Sequence, residues 1–140
     1  MSLSNTTTSI NQQDATVVII EPDEITRDSL VFLLERIGLN VETCPSAECF
    51  LMKSANQNYA CLITEVVLPG IDGLELIKKL AQLNKQIPTI ILTQHNDVSM
   101  AVRAMRAGAM DFIEKPFVEP MLLDRLMQIL TKDFPARDKH

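Results

Sequence analysis

The chain has 140 residues, enough for one domain to bury a core without cross-links. Its three cysteines cannot all pair with one another, and Cys49 and Cys61 fall in apolar segments where a reduced thiol packs as a small hydrophobe, which points to a reducing cytoplasm. A net charge of −5 with scattered Lys and Arg argues against direct nucleic-acid binding, and apolar runs of about five residues exclude a membrane-spanning helix.

In chain order, residues 1–15, MSLSNTTTSINQQDA, are polar and aperiodic and read as a flexible leader. From Thr16 onward short apolar runs alternate with helical periods, the signature of parallel strands joined by crossover helices. Strands are expected at residues 16–20, 41–44, 60–64, 89–93 and 111–114. VVII, CLI and TIIL are continuously apolar, as strands covered on both faces are, whereas a sheet wet on one side would alternate.

Asp23 is positioned to cap a first helix with Leu30, Leu33, Leu34 and Ile37 on one face, and Gly38 to end it. Ser46 caps a second. Asp72 caps a third, with Leu74, Ile77, Leu80 and Ala81 inward. Asp97 caps a fourth, with Ala101, Ala104, Met105 and Gly108 aligned. Pro120 suits the first turn of a fifth helix, which carries Leu123, Leu126, Met127 and Leu130 at helical spacing.

In open parallel sheets the functional loops follow the carboxyl ends of the strands. Those ends carry Glu21-Pro22-Asp23-Glu24, Glu65 with Val66-Val67-Leu68-Pro69-Gly70, Thr93-Gln94-His95, and Glu114-Lys115-Pro116. Each has an ordinary reading as a cap, a turn or a surface charge. Their recurrence at successive strand ends favours a shared site of carboxylates, a hydroxyl and an ammonium. A metal cluster is not favoured, because no Cys-x-x-Cys occurs and His95 and His140 lie far along the chain. Flavin or nucleotide binding is disfavoured too. Only four glycines occur, and the acids after the first strand would repel a phosphate.

The segments RDSL, PSAECFL, LPGIDGLEL and IPTIILTQHNDVSMAVRAMRAGAMDFIEKPF, in this order and spacing, resemble the receiver domains of two-component response regulators. The likeness is greatest to receivers that precede a helix-turn-helix output domain in nitrogen-fixation and nitrate-type regulators. It implies an α/β, three-layer doubly wound, flavodoxin-like fold with a five-stranded parallel sheet of order 2-1-3-4-5 and five helices. The expected receiver domain runs over 16–133, with 134–140 as a tail that reads as the start of a linker. The family also implies phosphoryl transfer from a histidine kinase to an aspartate after the third strand, and a cis bond between Lys115 and Pro116.

By position, the resemblance makes Thr93 the hydroxyl that senses a phosphoryl group, Phe112 the aromatic switch and Lys115 the phosphoryl-binding ammonium. Glu21 and Pro22 fall on the family's acidic pair and Glu65 on its phosphoacceptor. Metal ligation would fall to Glu21, Glu65 and the Val67 carbonyl, but proline offers no side-chain oxygen, so weak or absent Mg²⁺ binding is expected, with no other cofactor. Glutamate's extra methylene displaces the carboxylate by roughly one carbon–carbon bond, enough to spoil the alignment for phosphoryl transfer. The same reach places a charge near Thr93 and Lys115, imitating a phosphoryl group. Gln94, where the family usually has a small residue, narrows a phosphodonor's access.

The expectation is therefore a non-enzymatic, cytoplasmic, phosphorylation-independent receiver that regulates transcription through an output domain or partner. The partner face implied by the resemblance is the fourth helix, fifth strand and fifth helix, in a homodimer or against an output domain. A receiver still phosphorylated by a histidine kinase or small phosphodonor is the alternative.

Overall fold

A computed structural model describes residues 16–54, 57–95 and 97–131. The expected leader, the tail and the last two residues of the expected domain lie outside the described residues. The order is β1 (Thr16–Ile20), α1 (Glu24–Arg36), β2 (Asn40–Thr43), α2 (Ala47–Ser54), β3 (Cys61–Thr64), α3 (Gly73–Gln82), β4 (Thr89–Thr93), α4 (Val98–Ala107), β5 (Asp111–Glu114) and α5 (Glu119–Leu130). All strand pairs are parallel, in the order β2-β1-β3-β4-β5.

Residues two apart along a strand share a face, and the core divides accordingly. Val17, Ile19, Cys61, Ile63, Ile90 and Leu92 pack against α1 and α5. Val18, Ile20 and Leu62 meet Phe50 of α2 and Leu76 and Leu80 of α3, while Ile91 meets Ala104 of α4. Each fully buried Leu or Ile contributes about 1.5–3 kcal/mol. The continuously apolar strands are therefore those covered twice, as expected, and the edges β2 and β5 are only partly buried.

Two strand starts differ by one residue from expectation. β2 runs over Asn40–Thr43, yet the Cys44 N–H still donates to the Ile19 carbonyl at 3.0 Å. β3 starts at Cys61, with the Ala60 N–H on the Thr16 carbonyl at 2.9 Å. The flanking residues thus keep one ladder bond while leaving the regular strand.

The expected caps are in place. Asp23 accepts from the Thr26 N–H, Ser46 Oγ from the Cys49 N–H, Asp97 from the Met100 N–H, and Asp72 forms a capping box with Glu75. Gly38, just past α1, has φ +92°, the left-handed conformation that ends a helix at least cost on glycine.

Three inward faces need correction. α3 buries Leu76 with Leu74, Ile77 and Leu80 and exposes Ala81, while Gly73 at its start lies close against the chain at Glu65. α4 buries only Ala104. It leans on the sheet through that small residue with Met100 and Ala107 half-buried beside it, which leaves Met105 exposed and Gly108 as an exposed cap. α5 points Leu122, Leu126 and Ile129 inward, with Leu123, Met127 and Leu130 half-buried beside them. Apolar residues line two adjacent stripes of α5, and only docking selects between them. Among the thiols, Cys44 rather than Cys49 is buried with Cys61. Burial pushes Cys44 up to about 11 and Cys61 to about 12, so both are neutral packing groups.

Candidate functional site

The parallel topology brings the carboxyl ends of β1, β3, β4 and β5 to one edge, so residues scattered over ninety positions become neighbours. Backbone bonds fix the approach. The Glu65 N–H donates to the Ile20 carbonyl at 3.1 Å, and the Lys115 N–H to the Thr93 carbonyl at 2.9 Å. The Lys115–Pro116 bond is cis. Gly73 opens α3 directly behind Glu65, and a Cβ there would stand 2.5 Å from the Glu65 carbonyl oxygen.

Glu65 is the hub. Its Oε2 accepts from the Val66 N–H at 2.7 Å, the Val67 N–H at 3.4 Å and the Thr93 hydroxyl; its Oε1 accepts from Lys115 Nζ at 2.8 Å. Thr93 is fully buried, and its oxygen also accepts from the His95 N–H at 3.1 Å. Lys115 Nζ has a second carboxylate, Glu21 Oε1, at 2.6 Å. The other oxygen of Glu21 accepts from the Asp23 N–H at 2.9 Å, and Arg27 donates to the Glu21 carbonyl at 3.0 Å. The triad of Glu21, Lys115 and Glu65 is nearly sealed, with side-chain exposures of 3%, 13% and 7%.

Burial alone would push the Glu65 carboxyl up. The hydrogen bonds from Lys115 and Thr93, with the ammonium charge, outweigh it and hold Glu65 below the ordinary glutamate range. For Lys115, burial works against the charged form, but the bonds and charges of Glu21 and Glu65 prevail and raise it. Both groups are charged at neutral pH.

Sequence reading set Glu65, Thr93 and Lys115 together, and the structure brings them into contact. Phe112 sits apart. It is half-buried on β5 and packs on the cluster of Val66, Ile77, Ile91 and Ala104. Pro22 and Val67 are exposed on the wall of a cleft of about 390 Å³ that also includes Gln94, His95 and the three charged residues. Sequence reading placed Glu21 and Lys115 in one site without pairing them, and it did not connect Glu48 to the loop after β3. Glu48 reaches from α2 to accept the Ile71 N–H at 2.9 Å, which ties that loop to the helix. A first-turn acid on α2 gives no sign of a partner twenty-three residues away.

Mg²⁺, the ion implied by the resemblance, requires near-octahedral oxygens at about 2.0–2.1 Å. Glu21 and Glu65 each aim one oxygen at Lys115 Nζ and give the other to backbone N–H groups, and Pro22 has none to offer. Asp23 is committed to Thr26, whose N–H and hydroxyl it accepts at 2.9 and 2.7 Å. Among the described residues no cluster of His, Cys, Asp or Glu is arranged to hold a metal. This donor set does not fit Mg²⁺.

The chain matches the response regulator receiver domain family over residues 17–127. It is 42% identical over 113 residues to the transcriptional regulatory protein FixJ of Rhizobium meliloti (strain 1021), covering 81% of this chain and 55% of that protein. It is 39% identical over 121 residues to the response regulator protein TmoT of Ectopseudomonas mendocina, covering 86% and 55%. The crystal structure of FixJ-N superposes with a TM-score of 0.77 at 40% identity, covering 86% of this chain and 95% of that one. Full-length FixJ from B. japonicum gives 0.79 at 35% identity, covering 89% and 61%. The chain spans about half the length of the curated relatives it matches. Shared strand order, a matching family over most of the length and these relatives lead to one conclusion: the chain belongs to the response-regulator receiver domains of two-component signalling.

Proposed function

We propose that this receiver works without phosphoryl transfer, with Glu65 standing in for the phosphorylated acceptor and holding the domain in one signalling state. The observation that carries the reading is the contact of one Glu65 carboxylate with both the Thr93 hydroxyl and the Lys115 ammonium. A nucleophile must offer a free, aligned lone pair to an incoming phosphoryl group, and this carboxylate has both oxygens engaged. One negative charge replaces the nearly two of a phosphoryl group, so the substitute is partial.

The output face is α4, β5 and α5. Val98, Val102 and Met105 of α4 are 79%, 44% and 43% exposed beside the exposed Arg103 and Arg106, with Asp124 on α5. Such a stripe supports a second copy or an output domain as partner, through which transcription is regulated. Incubation with acetyl phosphate and Mg²⁺ followed by intact mass tests the reading. No added phosphoryl mass is expected for wild type, and labelling is expected once Glu65→Asp and Pro22→Asp are combined. A labelled wild type would make the chain an ordinary phosphoacceptor of a kinase or small donor.

A further inference from the structure

We infer that Glu48, on α2, is a positioning residue for Glu65: its carboxylate latches the loop after β3, so that the Val67 N–H stays turned toward the Glu65 carboxylate. The inference deepens the proposed function and rests on it only in taking Glu65 as the group whose charge is read.

Residues 66–72 lie between β3 and α3, so their N–H groups need partners outside a ladder or a helix. At the start of this loop Glu65 takes the Val66 and Val67 N–H groups at 2.7 and 3.4 Å. At its end Asp72 caps α3, and the Gly73 N–H returns to the Val66 carbonyl at 2.8 Å. The middle is held from α2. Leu68 and Ile71 pack in the same cluster as Ala47 and Phe50, and Glu48 accepts the Ile71 N–H at 2.9 Å. That N–H, with the residue's own, holds the Glu48 carboxyl below the ordinary glutamate range, so the acceptor is charged at neutral pH. Gly70 has φ +81°, and a Cβ there would stand 2.3 Å from Glu48 Oε2. The turn is bare of a side chain where the carboxylate crosses it. The Val67 bond, at 3.4 Å, is near the limit of a hydrogen bond, so a small rotation of the loop breaks it and strips Glu65 of a donor.

The ordinary reading of Glu48 is a first-turn acid that offsets the dipole of α2. That role needs the charge, whereas the latch needs an acceptor oxygen, and glutamine separates the two. The test is amide hydrogen exchange by NMR, with titration of the Glu65 carboxyl carbon, in wild type, Glu48→Ala and Glu48→Gln. Glu48 is exposed on a helix, where alanine is well tolerated. In Glu48→Ala, exchange at Val67 and Ile71 is expected to quicken about tenfold or more, and Glu65 to titrate at higher pH than in wild type. Loss of the Glu48 charge by itself would move Glu65 the other way, so the direction is diagnostic. Lys115, Glu21, Asp23 and His95 line the same cleft and are unchanged in every variant. Glu48→Gln should stay near wild type in exchange, with Glu65 titrating at or slightly below its wild-type value. Gly70→Ala puts a methyl group in the place of the carboxylate and should reproduce the rise at Glu65, with the double variant moving little further. Faster exchange confined to Ile71, with Glu65 unmoved, overturns the inference. So does a Glu48→Gln as disruptive as Glu48→Ala, which makes Glu48 a dipole acid. Failure of the proposed function reads differently, as phosphoryl labelling of wild type, while the Glu65 titration is measured on unlabelled protein.

Discussion

Replacing Glu65 with Gln keeps the side-chain length and removes the charge. The amide oxygen can still take the Val66 N–H and the Thr93 hydroxyl, but the amide nitrogen then faces Lys115 Nζ, donor against donor. Lys115 retains Glu21, so the loss is one charged hydrogen bond in a nearly sealed site and not the whole triad. Such a loss costs about 1–3 kcal/mol, a fall of roughly 4–12 °C for a domain of this size. The pH dependence is more diagnostic. Glu65 has a folded pKa held below its ordinary 4.5, so its contribution is fully present above that value and fades as pH falls through the folded pKa. Urea unfolding of both proteins should therefore show a gap that is constant near pH 7 and closes in acid, where wild-type Glu65 is itself neutral. A gap that is absent at pH 7, or that persists undiminished in acid, refutes the ion-pair account of Glu65.

Gly73→Ala should destabilise by about 1–3 kcal/mol, since its Cβ would be forced against the Glu65 carbonyl; chemical denaturation measures it, and a neutral result would mean that α3 can shift freely. On α5, Leu122→Ala should cost about 2–5 kcal/mol and Leu123→Ala clearly less, an order that reverses if the inward stripe is the one periodicity suggested. Lys115 has a raised folded pKa, so its stabilisation is complete below 10.5 and lost as pH rises through the folded value; alkaline unfolding of wild type against Lys115→Met should converge there. Charge reversal at Arg103 and Arg106 should dissociate a dimer in analytical ultracentrifugation, and a wild type that stays monomeric at high concentration counts against the α4 face as a self-contact.

The alternation of apolar runs with helical periods was enough to place all five strands and five helices, because a strand buried on both faces must be apolar throughout and a helix start must satisfy its own N–H groups. Asp23, Ser46, Asp72 and Asp97 are local devices whose partners lie three residues away, which is why they were legible. Glu65, Thr93 and Lys115 could be grouped because a parallel sheet collects strand ends at one edge and the family resemblance gave them roles.

Which apolar stripe of α5 turns inward, why α4 buries Ala104 alone, and the shift from Ala81 to Leu76 on α3 were decided by docking, since neighbouring stripes of similar apolarity differ in energy only once a surface is there to meet them. The second carboxylate on Lys115 and the reach of Glu48 to Ile71 belong to the same class: they join residues far apart in the chain through distances that no local pattern encodes. Sequence by itself determined the fold, the caps and the identity of the charges at the sheet edge. Tertiary structure decided how those charges neutralise one another, because at a few ångströms an ammonium can serve two largely buried carboxylates at once, and only the packed chain sets those ångströms.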